Sequence, residues 1–180
     1  MFKLFKFVNE LPRLKYLIES PLDNFTKNFN ILTRAFHLVF YSMENLTIFI
    51  KLNFINKSYR IHIELCMGLS WLLAQIFHLT YYIKVLKKTY TDEDDLRHLN
   101  VESFRVNEIY QKLKILSKIR NALILSIIKS LGDFLFACYE LKVFENFLGT
   151  NFAKLLVSIS GIISSCISIY QTYFSDNYTK

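Results

Sequence analysis

The chain has 180 residues, 52% of them hydrophobic, with 22 Lys and Arg against 15 Asp and Glu and a net charge of +7. Such a length makes one domain the default, and so apolar a composition beside so many basic groups argues against an ordinary soluble domain. The charge suits nucleic acid or an anionic membrane, but the aromatic residues sit inside apolar runs instead of interleaving with the basic ones, which excludes a nucleic-acid platform and favours the membrane.

Residues 1–24 open Met-Phe-Lys-Leu-Phe-Lys-Phe-Val, basic and aromatic. Asn9 and Glu10 stop this run before it reaches the length of a secretory apolar core, so no cleaved signal is expected. Residues 11–18 suit one or two helical turns on a surface, and Pro21 punctuates the chain. Over 25–52, Phe25, Phe29, Leu32, Phe36, Val39, Met43, Leu46 and Ile50 step by fours and threes. That spacing predicts an amphipathic helix with Lys27, Asn30, Arg34, His37, Tyr41, Glu44 and Lys51 on the other side. Its apolar face suits either the membrane interface or packing inside the protein. In the first case Phe25, Phe29, Leu32, Phe36 and Met43 lie at the acyl boundary and Arg34 lies toward headgroups.

A polar break at 53–64 precedes an uncharged run at 65–83, about 29 Å long as a helix and closed by Tyr81, Tyr82, Lys84, Lys87 and Lys88 as an interface anchor. Gln75 and His78 within it are expected to face protein, not lipid. Residues 84–103, with acidic Asp92-Glu-Asp-Asp95, read as a hydrophilic linker lacking the spacing of a calcium loop. Residues 104–144 read as amphipathic helices. Lys129 and Asp133 interrupt the apolar part at 121–144; each costs about +2.5 to +3.5 kcal/mol at a bilayer centre, more than the surrounding apolar residues return at about −0.3 to −0.6 kcal/mol apiece. Spaced four apart, they are predicted to form a buried polar pair facing protein or water, with the helix on or partly within the bilayer.

The stretch 155–175 carries no charge and matches the hydrocarbon thickness of a bilayer. Its small residues Ser158, Gly161, Ser165, Ser168 and Thr172 form one seam suited to close helix approach, either in self-association or against 65–83 of the same chain. With only four Gly, two Pro and no apolar run of period two, the expected fold is all-α. It is a membrane-associated helical bundle in a single domain (1–180), with amphipathic helices and about two membrane-embedded helices.

No catalytic constellation, cofactor site or metal site is apparent. Cys66, Cys138 and Cys166 have no paired spacing, the four histidines show no His-x-x-x-His pattern, and no glycine-rich phosphate loop or nucleophile elbow occurs. Polar residues able to line a path through the membrane are few: Gln75, His78, Lys129 and Asp133.

Several stretches together resemble the peroxisomal biogenesis factor 11 family, the peroxin-11 proteins. Lys129-Ser-Leu-Gly-Asp133-Phe-Leu-Phe-Ala137 is similar to the family's Lys-x-x-x-Asp-x-x-x-Ala stretch. Gly161-Ile-Ile-Ser-Ser165, with the following Tyr170, is similar to its closing Gly-x-(Ile/Leu)-Ser-Ser segment. Thr33-Arg34, Glu44-Asn45-Leu46, Lys51-Leu52 and Trp71 resemble the region leading through its first hydrophobic segment, with Glu44 where the family usually has Asp. The resemblance covers about residues 14–174.

It implies a non-enzymatic protein of the peroxisomal membrane, or of a specialised peroxisome such as a glycosome. Such proteins shape and elongate the membrane, self-associate, and recruit fission machinery during proliferation. The alternatives are a channel for small metabolites and a helical membrane-bound interaction module. The family's N-terminal amphipathic region is longer than the Phe/Lys-rich piece before Leu14, so wedging is expected to shift onto 25–52. Basic residues are abundant on both sides of 65–83, so charge does not set the topology; the resemblance implies both termini in the cytosol.

Overall fold

The computed structural model describes residues 6–21, 23–98, 106–143 and 150–174. Among them are five α-helices, one short 3-10 turn and no strand: α1 (Lys6–Glu19), α2 (Asn24–Lys51), the 3-10 turn Lys57–Tyr59, α3 (Arg60–His98), α4 (Val106–Glu140) and α5 (Thr150–Phe174). Parts of the expected linker (99–103) and of its neighbours (104–105, 144 and 175) lie outside the described residues.

Helix boundaries follow local chemistry. Asp23 caps α2, its carboxylate accepting from the Thr26 amide at 3.1 Å. At the other end Asn53 adopts φ 61°. The Asn53 amide donates to the Ile50 carbonyl and the Phe54 amide to the Phe49 carbonyl, both at 3.0 Å. The Phe49 and Phe54 rings meet at 6.4 Å, completing a Schellman stop with its apolar contact. The α4 stop repeats the pattern with Lys142 at φ 57°, its amide donating to the Tyr139 carbonyl and that of Val143 to Cys138.

Each helix packs on its neighbours in sequence, α1 on α2, α2 on α3, α3 on α4 and α4 on α5. Cross-contacts fix the register. Lys84 approaches Asp23 at 4.0 Å, Trp71 stacks on Phe136 at 5.2 Å, and Gln171 donates to Ser126 at 2.9 Å. The start of α2, the middle of α3 and the end of α5 therefore share one level. Beyond it, residues 85–98 and 107–120 continue as a paired helical extension, fastened by the Arg120–Glu93 ion pair and by Arg120 over the Tyr90 ring.

Two sequence expectations change here. Residues 84–98 are not a linker but the last part of a 39-residue helix. Charge alone does not break a helix, and α4 supplies a partner along this stretch. The amphipathic helices expected over 104–144 are one continuous helix of 35 residues. Besides Lys57–His98 and Asn151–Tyr173, Asn107–Glu140 is also long and apolar enough to cross a membrane, adding a third such helix to the two expected.

The burial pattern inverts that of a soluble protein. The buried positions include Thr26, Thr33, Asn45, Ser70, Gln75, Ser130, Ser160 and Ser164, with Ala74, Ala137 and Ala153 between them. Leu65, Leu69, Leu73 and Ile76 of α3 and Leu155, Ile159 and Ile162 of α5 are exposed. An apolar exterior over small and polar contacts is stable in lipid, where no hydrophobic force drives helices together.

Candidate functional site

The polar faces of all four long helices turn toward one cavity of about 430 Å³. α2 contributes His37, Tyr41 and Glu44; α3 Gln75, His78 and Tyr82; α4 Ser126, Lys129, Ser130 and Asp133; α5 Gln171. The four residues that sequence singled out as possible path-lining groups, Gln75, His78, Lys129 and Asp133, are thus brought together. The polar side of 25–52 also points here, so His37, Tyr41 and Glu44 face the bundle interior. Only their shared helical side signalled this, and that side reads equally as solvent-facing.

Asp133 accepts a hydrogen bond from Ser164 of α5 at 2.7 Å. Among the described residues no ion pair joins it to Lys129, so the two charges line the cavity separately. Gln75 is 3% exposed, and its side-chain oxygen has no hydrogen-bond partner. Ser130 Oγ and His78 Nδ1 lie 3.4 Å apart, and the His37 and His78 rings meet edge to face at 6.4 Å. Burial, and next the Arg34 charge, hold the His37 imidazole below its usual 6.5 against the pull of Glu10.

Arg34 does not point toward headgroups unpaired. It meets the buried Glu10 of α1 at 3.0 Å, and Arg13 meets the same carboxylate at 3.0 Å. Glu10 therefore latches α1 onto α2. Between α1 and α3, Arg13, Tyr16, Arg34 and Tyr81 line an open cleft of about 600 Å³, which shares His78 and Tyr82 with the wall of the inner cavity.

Of the expected interface set, Phe25 and Leu32 are exposed, each at 38%, and Met43 is half-buried. Phe29 and Phe36 flank Phe77 of α3, with centroids at 5.7 and 5.6 Å. Part of this face thus packs inside the protein.

The α5 seam divides similarly. Ser158, Gly161 and Ser165 line a shallow groove with Phe136; a Cβ added at Gly161 would meet nothing within 4 Å. Ser168 is half-buried and Thr172 exposed. Among the described residues α5 packs mainly on α4, and through a different row: Ser160 and Ser164 close on Gly132, where an added Cβ would lie 2.9 Å from the Ser160 carbonyl oxygen. The signal for that row was a lone glycine amid apolar residues opposite a serine pair four apart.

The family model for peroxisomal biogenesis factor 11 (PEX11) matches residues 1–173. The chain belongs to this family. Membership makes the protein a peroxisome biogenesis factor and the membrane that its apolar helices require the peroxisomal one. The PEX11 match begins upstream of α1, so that helix belongs to the family region together with the four longer ones. No curated protein and no solved structure matches the chain.

Proposed function

We propose that the protein bends and elongates the peroxisomal membrane by loading one leaflet more than the other, and so promotes proliferation and fission. The observation that carries this reading is the outer face of α1. Val8, Leu11 and Ile18 are each about half exposed on it, spaced three and seven apart with Lys15 between them. A 14-residue helix is about 21 Å long. It runs along α2 from Ser20, whose carbonyl accepts from Lys27, to Lys6 over the Tyr41 ring, and its C-terminal part shares a cleft with Tyr81 and Tyr82, which suit a headgroup boundary. A fifth helix beside this end of the bundle adds area there, and apolar area inserted more on one side of a membrane than the other favours curvature. Phe25 and Leu32, exposed on α2, add apolar surface for the membrane interface. The end of α5 and the α3–α4 extension lie on this side too, in keeping with a cytosolic face, where the extension is available to fission machinery.

Self-association through the open Ser158–Gly161–Ser165 groove would concentrate the wedges. The test is tubulation of anionic liposomes by the reconstituted chain. Replacing Val8, Leu11 and Ile18 by Ser is expected to abolish tubules while the protein still sediments with the membrane; unchanged tubulation refutes the wedge. The polar cavity favours a second reading, a conduit for small metabolites, which selective flux across a planar bilayer would support and its absence would exclude.

A further inference from the structure

We propose that the inner cavity is a binding site for a small zwitterion, a molecule carrying an alkylammonium group and a carboxylate or phosphate a few ångströms apart. This goes beyond the membrane-shaping reading and does not depend on it.

Two basic side chains, Lys129 and, at the exposed edge, Lys6, and two acidic ones, Glu44 and Asp133, line the cavity. Groups of both signs face the cavity, so a ligand that carries both charges matches it better than an ion of either sign alone. The same inventory disfavours a simple polyol. Lys129 has no hydrogen-bond or ion-pair partner among the described residues, and an unpaired ammonium inside a membrane bundle demands an anion or water. Asp133 is held by Ser164 through one oxygen, which fixes the carboxylate and leaves its second oxygen available. The two residues are four apart on α4, about 6 Å along the backbone axis, and form no ion pair among the described residues, so both charges remain to be met by a ligand that carries both signs.

The surroundings of each end differ in the required sense. Near Asp133, Phe40 and Trp71 lie with centroids 5.4 Å apart, and both line the cavity. Aromatic faces beside a carboxylate are the recurrent recognition chemistry for alkylated ammonium groups. The Lys129 end lies toward His78, which the neighbouring Ser130 approaches at 3.4 Å, and His78 and Tyr82 also wall the outer cleft. Between the two ends the buried Gln75 carries an unpartnered amide oxygen, a group that costs stability unless something in the cavity donates to it. The volume, about 430 Å³, is in the range of small-molecule sites. The ligand chemistry is shared by free solutes and by zwitterionic lipid headgroups.

The test uses the full chain in nanodiscs of phosphatidylglycerol and a glucosyl diacylglycerol, which contain no zwitterionic lipid. Equilibrium binding of radiolabelled glycine betaine, and of radiolabelled glycerophosphocholine in parallel, is measured against competition by choline, succinate and glycerol. Saturable binding is expected for at least one of the two zwitterions, with each competitor weaker by at least about tenfold. Tighter betaine binding assigns the site to a free solute and tighter glycerophosphocholine binding to a lipid headgroup; either supports the proposal. Lys129→Met and Asp133→Asn should each weaken zwitterion binding about tenfold or more, the first leaving choline as the better competitor and the second succinate. Binding of neither zwitterion to the wild type, or equal competition by choline, succinate or glycerol, overturns the inference without reliance on any variant.

Discussion

At the scale of single residues, the described backbone carries two left-handed non-glycine positions, and the sequence advertised only one. Asn tolerates φ > 0, so Asn53 is a recognisable helix stop within the polar break. Lys142 is not, because nothing in Glu-Leu-Lys-Val marks a residue that must take φ 57°. A Cβ in that region costs about 1–2 kcal/mol. Lys142→Gly is therefore expected to leave the protein as stable or up to about 1 kcal/mol more stable, the gain reduced by glycine's greater freedom when unfolded. Lys142→Val should destabilise it, since a β-branched side chain is worse there; thermal unfolding in detergent compares the two. His37 supplies a pH dependence whose sign is fixed. Its folded pKa lies below the usual 6.5, so above pH 6.5 both folded and unfolded forms are neutral and its contribution is full. As pH falls below 6.5 the unfolded chain takes up the proton first, and stability drops toward the folded pKa. His37→Gln should flatten that part of the stability–pH curve, measured by unfolding between pH 7.5 and 5.

At the scale of elements, periodicity made α2 and α5 legible almost to their ends, and apolar runs located the membrane portion of α3. What could not be read is where the helices stop being helices, since that depends on partners far along the chain. The acidic and basic residues of 84–98 look like a connector until Arg120 of α4 reaches Glu93. Glu93 is only 3% exposed, so its carboxylate is buried away from the acidic cluster around it. Removing one member of such a pair leaves the other uncompensated. Arg120→Met is expected to weaken the α3–α4 extension by about 3 kcal/mol, read as faster amide exchange over 85–98 with little change over 65–83. The same logic governs α1. Sequence identified its basic, aromatic character but not its docking, because a helix face does not reveal that Glu10 will meet Arg34. Arg34→Met leaves Glu10 with Arg13 alone, and the loss of a charged hydrogen bond of about 1.5–3 kcal/mol should release α1. Proteolysis between α1 and α2, around 20–23, should then accelerate while the four long helices resist.

For the whole molecule, the candidate site was half legible: the polar residues of the apolar runs were visible singly, and their convergence needed the fold. The small residues of α5 show why. Two rows of them run along the helix, and composition cannot say which faces the protein. The structure spends Ser160 and Ser164 on Gly132 and leaves Ser158, Gly161 and Ser165 on a groove open to lipid. This separation makes self-association testable without confounding it with folding. At Gly132 an added Cβ meets a backbone carbonyl oxygen at 2.9 Å, so Gly132→Ala should cost about 1–2 kcal/mol, overpacking outweighing the helix-propensity gain. At Gly161 the space is empty, and Gly161→Leu should leave unfolding of the monomer and membrane insertion unchanged. If a second copy packs against the groove, the leucine holds the two backbones apart and removes about 1–2 kcal/mol of association, roughly tenfold in dimer dissociation. Ile163→Leu, off the seam on the same helix, serves as the control. Crosslinking in membranes reads the outcome: a lower dimer yield for Gly161→Leu alone supports the groove as the self-association surface. Equal yields from all three proteins would leave the groove to lipid and require the wedges to gather, if they gather, through some other face.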